Sequence, residues 1–140
     1  MAATTRLQLK MVTPVQTVFE QAVDGVSLPT RLGQITVLPQ HTELVSILEP
    51  GELIVRDGDK TFPLAVSGGL IEVANNTLYV LADSAQHATD IDLAAAEART
   101  QQLEQDLKDQ TTLDLNTYSL LQRQLAEERA RLHVAKKWRK

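Results

Sequence analysis

All six glycines and all five prolines lie at or before Gly69, so the last 71 residues contain neither of the two strongest interrupters of regular structure. A chain divided in this way cannot repeat one architecture from end to end. Its first part is punctuated by Thr13-Pro14, Asp24-Gly25, Pro50-Gly51 and Asp57-Gly58-Asp59, and the runs between these turns are β-branched and apolar. They read as about eight to ten strands, near 6–12, 15–20, 22–28, 34–38, 43–48, 52–56, 60–66, 69–74 and 77–82. Leu7-Gln8-Leu9-Lys10-Met11 and Ile54-Val55-Arg56 alternate, which predicts one buried and one wet face. Leu78-Tyr79-Val80-Leu81 is more continuously apolar, which predicts burial on both faces. No helix-length stretch separates these strands, which favours a sandwich or barrel over a parallel α/β sheet.

Beyond Ala85 the apolar period lengthens. Leu93, Ala96, Thr100, Leu103 and Leu107 recur at spacings of three and four, as on one side of a helix that Asp90 or Asp92 can cap. The polar patch Asp109-Gln110-Thr111-Thr112 interrupts this helix, and Asp114 can cap a second one carrying Tyr118, Leu121, Leu125, Leu132 and Ala135. The expected architecture is mainly β plus α: a β-sandwich or barrel over residues 1–88, then a two-helix hairpin over 89–140. Two helices of this length cannot offset their own ordering entropy, so the hairpin must dock on the sandwich or on a partner.

Length and composition narrow the function. At 140 residues and 43% hydrophobic, the chain can bury one core but cannot house a multi-domain enzyme. It has no run near the roughly 18 apolar residues of a membrane-spanning helix. Zero cysteines exclude disulfides, thiolate nucleophiles and Cys-ligated metal centres. His41, His87 and His133 lack the i, i+4 partners of a helical metal pair, and Ser67-Gly68-Gly69 lacks the Gly-Lys-Ser/Thr ending of a phosphate loop. That loop is better read as a glycine-enabled strand corner. The carboxylate pairs Asp57/Asp59 and Glu127/Glu128 read as a hairpin tip and a solvated helix face.

Charge is unevenly placed. Residues 1–90 carry 5 Lys/Arg against 10 Asp/Glu, while the last 12 residues carry six basic groups and no acid: Arg129, Arg131, Lys136, Lys137, Arg139 and Lys140. Cations at a helix C-terminus suit its dipole, and the excess suggests an acidic protein surface as partner. A nucleic-acid or acidic-ligand binder is the alternative, but Trp138 is the lone stacking aromatic there and the sequence pI of about 5.3 opposes it. An enzyme is the weakest reading, since no nucleophile–base pair stands out.

Four segments, in order, carry a family resemblance: Leu38-Pro39-Gln40-His41-Thr42-Glu43-Leu44, Leu48-Glu49-Pro50-Gly51-Glu52-Leu53, Val66-Ser67-Gly68-Gly69-Leu70-Ile71-Glu72-Val73 and Val80-Leu81-Ala82-Asp83-Ser84-Ala85. They resemble the signature of the epsilon subunit of F-type ATP synthases, over essentially the whole chain. The resemblance implies a flattened β-sandwich of about ten strands followed by a two-helix antiparallel hairpin, in a non-catalytic central-stalk subunit that couples the gamma subunit to the c-subunit ring. Its hairpin would lie on the sandwich or extend along gamma to the alpha and beta subunits, where the extended form inhibits ATP hydrolysis. No nucleic-acid partner is implied, and membrane association would come only through the assembled complex. Met1-Ala2-Ala3-Thr4-Thr5-Arg6 resembles neither a secretory signal nor a transit peptide. The expected location is thus the cytoplasmic face of a bacterial plasma membrane, or alternatively the stromal face of a thylakoid membrane.

Carried over by position, the resemblance places His41 and Ser46 on the gamma-facing surface. It places Pro29, Thr30, Arg31, Leu32 and Gln34 at the loop that touches the c ring, where the family usually carries an acidic residue near Gln34. Arg123, Arg129, Arg131, Lys136 and Lys137 would meet the catalytic head. Some members bind ATP through Ile or Leu, Asp, two variable residues, Arg and Ala. Here Ile91-Asp92-Leu93-Ala94-Ala95-Ala96 puts Ala95 at the arginine position. Gln102, Leu120 and Glu127 stand where ATP-binding members have Arg, and Arg131 is kept. Without those guanidinium forks, weak or absent ATP binding is expected, and no cofactor or metal.

Overall fold

A computed structural model describes residues 5–109 and 114–139. The segment Gln110-Thr111-Thr112 of the interhelical patch, the terminal Lys140, and the Met1-to-Thr4 part of the start lie outside the described residues. Ten strands come first: β1 (Leu7–Val12), β2 (Thr17–Val23), β3 (Gly25–Thr30), β4 (Gly33–Val37), β5 (Leu44–Leu48), β6 (Gly51–Asp57), β7 (Lys60–Val66), β8 (Gly69–Ala74), β9 (Thr77–Ala82) and β10 (Ala85–His87). A 3₁₀ turn over Ala88–Asp90 leads to α1 (Leu93–Asp109) and α2 (Leu115–Lys137). The strands follow the order β10-β7-β6-β3-β5-β8-β9-β1-β2, with β4 beside β3. Between β3 and β5 the only paired residues are Thr30 and Leu48, and there the sheet turns over on itself.

Alternation explains the closure. Leu7, Leu9 and Met11 of β1, Ile71 and Val73 of β8, and Leu78 and Val80 of β9 are buried from one half. Val26 and Leu28 of β3, Leu53 and Val55 of β6, and Leu64 and Val66 of β7 meet them from the other in one continuous core. Each such side chain contributes about 1.5–3 kcal/mol on leaving water, so a one-residue slip in any strand would forfeit several at once. Far from the β3–β5 turn, Arg6 and Gln21 both bond the Asp57 carboxylate, joining the β1–β2 end to β6.

The strand reading needs four corrections. β10 is absent from it, because three residues bounded by polar groups carry no period; it forms by pairing Ala85, Gln86 and His87 with β7. The break between β2 and β3 falls at Asp24, not near residue 21, since the Asp24 N–H bonds the Arg56 carbonyl. Residues 29–34 are not an open loop: Pro29 pairs with Gln34 and Thr30 with Gly33, leaving only Arg31 and Leu32 at the turn. Finally, β9 is buried on one face only, with Tyr79 and Leu81 pointing away from the core. Asn75 and Asn76, both at positive φ, form the tight turn that joins β8 to β9.

Both helix caps fall where the short acids stand. Asp92 Oδ1 accepts from the Ala95 N–H at 3.0 Å, and Asp114 Oδ1 from the Thr117 N–H at 2.7 Å. Ala96, Thr100 and Leu103 of α1 are buried, facing α2. On α2 the buried set is Leu125, Ala130, Val134 and Ala135, displaced from the expected stripe: Tyr118 is exposed, and Val134 takes the central place. The displacement has a reason in packing. α2 touches both α1 and strands β6 and β7, so its apolar surface serves two partners.

Ser67-Gly68-Gly69 is the strand corner that its composition suggests. Ser67 Oγ accepts from the Ser84 N–H at 2.7 Å, and the Gly68 carbonyl accepts from Asp83 at 2.9 Å. A Cβ on Gly69 would overlap the Leu81 carbonyl oxygen and stand 3.0 Å from Ala82 Cα. Gly69→Ala is expected to destabilise the fold by about 3 kcal/mol or more, since backbone cannot yield as a side chain does. Gly68→Ala, whose nearest neighbour would be 3.3 Å away, should cost less than about 1 kcal/mol; urea unfolding of the two variants checks the contrast.

Candidate functional site

The seam between α2 and the sheet is where the two parts of the chain meet. Val134, fully buried, seats against Ala65 of β7 and Ala88 of the 3₁₀ turn, with Ile91 and Trp138 closing the sides. Trp138 caps α2, its N–H bonding the Val134 carbonyl, and its indole Nε1 donates to Glu52 Oε2 at 2.6 Å. Lys137 Nζ donates to the other oxygen, Oε1, at 2.9 Å. The Glu52 side chain is only 14% exposed. Burial pushes its pKa up, but the bonds from Trp138 and Lys137, with the charges of Lys137 and His133, pull it down further, so Glu52 ends below the ordinary glutamate range.

The basic tip is engaged within the chain. Arg123 bonds Asp83 on the sandwich at 2.7 Å and Glu127 at 3.3 Å. Arg129 reaches Glu104 at 3.3 Å and Lys136 approaches Glu97 at 4.0 Å, both from α2 to α1, while Arg131 pairs with Glu128 along α2. All five cations that the resemblance directs to a catalytic head therefore have acidic partners in this conformation, with the hairpin folded down on the sheet.

A cavity of about 410 Å³ opens at the start of α1. It brings together Ile91, Asp92, Ala95 and Arg131, the positions singled out for nucleotide binding, and adds Arg99, Asp90, which the sequence offers only as a cap, and Glu128, which is not on a solvated face but 15% exposed beside Arg131. Three carboxylates face two guanidinium groups. Arg131 already pairs with Glu128, Asp92 serves as the cap of α1, and Ala95 offers a methyl group where a phosphate would need a donor.

On the far side of the sandwich, Val45 of β5, Leu70 of β8, and Tyr79 and Leu81 of β9 form a shallow apolar groove of about 280 Å³. Val45 is 69% and Leu81 51% exposed. Sequence reasoning missed this face because a strand apolar on both sides reads as buried on both. Ser46 lies on the opposite side of β5 from Val45, half-buried and paired with Ile71. His41 sits in the preceding loop with Nδ1 at 2.7 Å from the Thr42 carbonyl. The β3–β4 turn is stapled by Thr30, whose hydroxyl donates to the Gly33 carbonyl at 2.7 Å and accepts from the Leu32 N–H. Leu32 projects from it almost wholly exposed, beside Arg31, which pairs with Glu49 at 3.5 Å. Among the described residues no group of three or more His, Cys, Asp or Glu side chains is placed to hold a metal, and no helix is long and apolar enough to cross a membrane.

Residues 6–88 match the family model described as ATP synthase, Delta/Epsilon chain, beta-sandwich domain. The chain belongs to this family. Similarity to epsilon members extends through the hairpin: the ATP synthase epsilon chain of Herpetosiphon aurantiacus is 39% identical over 93% of this chain and 94% of its own length. That of Desulforamulus reducens is 45% identical over 76% and 80%. Among solved structures, a chain of the Euglena gracilis mitochondrial ATP synthase superposes with a TM-score of 0.78 over 98% of this chain and 84% of its own, at 19% identity. A Tetrahymena thermophila mitochondrial ATP synthase chain gives 0.66 over 94% and 99%, at 15% identity. At such identities these two likenesses establish a common fold of sandwich and helical hairpin.

Within this epsilon-family chain, Glu52 makes hairpin docking sensitive to acid. Its pKa is lowered in the docked state, so its contribution is complete above the ordinary glutamate value of about 4.3 and is lost as pH falls through the lowered one. Trp138 is the only tryptophan and reports the seam directly. Its emission should hold steady from pH 7 to 5 and shift to the red below about pH 4, whereas Glu52→Gln should lose this pH dependence.

Proposed function

We propose that this chain is the non-catalytic epsilon subunit of the rotor of an F-type ATP synthase, coupling gamma to the c ring. Its residues 1–88 would act as the stalk-and-ring unit and 89–140 as a regulatory arm that restrains ATP hydrolysis when extended. The observation that carries the reading is the similarity to curated epsilon chains through both parts of the molecule. The apolar groove on β5, β8 and β9 supports it, because a face of this kind on a folded sandwich suits a protein partner, and gamma is the occupant that the family offers. The exposed Leu32 at the β3–β4 turn suits contact with the c ring. The subunit would then sit at the cytoplasmic face of a bacterial plasma membrane, held there by the assembled complex.

ATP binding to the subunit itself is weak or absent on this reading. Its supports are Ala95 at the motif arginine and the excess of carboxylates around the cavity. Each missing charge-assisted bond removes about 1.5–3 kcal/mol, so losing two moves a micromolar site toward millimolar. Calorimetry of the isolated subunit should therefore detect no micromolar ATP binding, and Ala95→Arg should strengthen whatever binding remains.

The partner assignment is tested on the outer face. Val45→Glu and Leu81→Glu place a charge where the groove is apolar, without touching the core. Each should weaken co-purification with gamma at least tenfold, the scale of an interface hot spot, while leaving the circular dichroism spectrum unchanged. Retention of gamma by both variants would remove this face from the interface.

A further inference from the structure

Among the described residues, the polar contacts that hold the hairpin to the sandwich are few and unequal. Arg123–Asp83 lies between side chains 59% and 56% exposed, a setting in which an ion pair contributes little. Arg129–Glu104 and Lys136–Glu97 join α2 to α1, so both survive if the hairpin lifts as a unit. Arg131–Glu128 lies wholly within α2. That leaves the Val134 plug and the Glu52 carboxylate, whose two oxygens are held separately by consecutive residues at the end of α2.

We propose that Glu52, gripped by Lys137 and Trp138, is the latch that keeps the hairpin folded on the sheet. Its geometry suits that task. In the docked state Trp138 is placed twice over, its backbone by the cap bond to Val134 and its ring by packing beside Ala65, Ala88 and Ile91, which holds the indole N–H on Glu52. Lys137 lies 5.5 Å from the centre of the indole ring, a second constraint on the same carboxylate's partner. Both bonds to Glu52 are charge-assisted, and the carboxylate that accepts them is only 14% exposed, unlike the acids of the rim pairs, although the Lys137 side chain itself is about half exposed. The latch also engages Lys137, so in the folded-down state the carboxylate bonded to this cation is that of Glu52. For its consequence in the assembled complex the proposal rests on the rotor reading above.

The test uses the full chain, which has no cysteine of its own, with spin labels at Thr61→Cys on β7 and Ala126→Cys on α2, both exposed and outside the latch. Distances are read across a urea series in which docked and released populations coexist. Glu52→Gln, which keeps the side-chain shape and removes the charge, should lower the docked-to-released ratio about tenfold or more, and Trp138→Phe, which keeps a ring and loses the donor, should act in the same direction. Arg123→Gln should change it less than threefold. An unchanged ratio in both Glu52→Gln and Trp138→Phe overturns the latch, and so does an Arg123→Gln effect equal to that of Glu52→Gln. In the assembled complex, Glu52→Gln should reduce ATP hydrolysis. Release by the distance measurement with hydrolysis unaltered would sustain the latch and overturn the regulatory reading of the hairpin.

Discussion

Two amphipathic helices cannot cover their own apolar surface, and most of this molecule's arrangement follows from where the uncovered part goes. α1 spends Ala96, Thr100 and Leu103 on α2, and α2 must then serve both α1 and the sheet. It does so with a small contact: one fully buried valine, flanking alanines and a half-buried tryptophan. A core of that size is worth a few kcal/mol, close to what ordering a hairpin against the sheet costs. Polar contacts at its rim therefore decide the balance, although the sandwich below depends on none of them.

The two parts of the chain differ in how firmly their geometry is held. In the sandwich, more than a dozen large side chains from both sheet halves share one core, and register errors are penalised at every strand. At the seam, by contrast, the anchoring groups are few and mostly exposed, which is the condition under which two arrangements of one chain lie close in free energy. Glu52 stands apart because it is shielded and held at both oxygens, with a pKa drawn below the glutamate range. The same contrast sets a sandwich held at every strand beside a hairpin held by one small seam.

The outer groove shows how one strand can have two loyalties. On β9, Leu78 and Val80 face the core while Tyr79 and Leu81 line a surface that nothing among the described residues covers. The sequence property behind it, apolar residues on both faces, is genuine. In an isolated sandwich it leaves a patch of the kind that binds another protein, and membership in the epsilon family supplies the proposed occupant.

Much of this was legible in the residues. The end of glycine and proline at Gly69 separates a turn-rich β part from a helical one, and period-2 and period-3.6 patterns fix the element types because they follow from backbone geometry alone. Asp92 and Asp114 announce their helices by local chemistry, and the four ordered motifs point to the family. Tertiary structure decided what local pattern cannot encode. β10 exists only because β7 offers it an edge, and Val134 joins the buried set because α2 packs on the sheet as well as on α1. Glu52 and Trp138, 86 residues apart, meet only once β6 and the end of α2 are packed together. Periodicity records how a segment divides its own faces between water and protein; which other segment lies on the protein side is set by the packing of the whole chain.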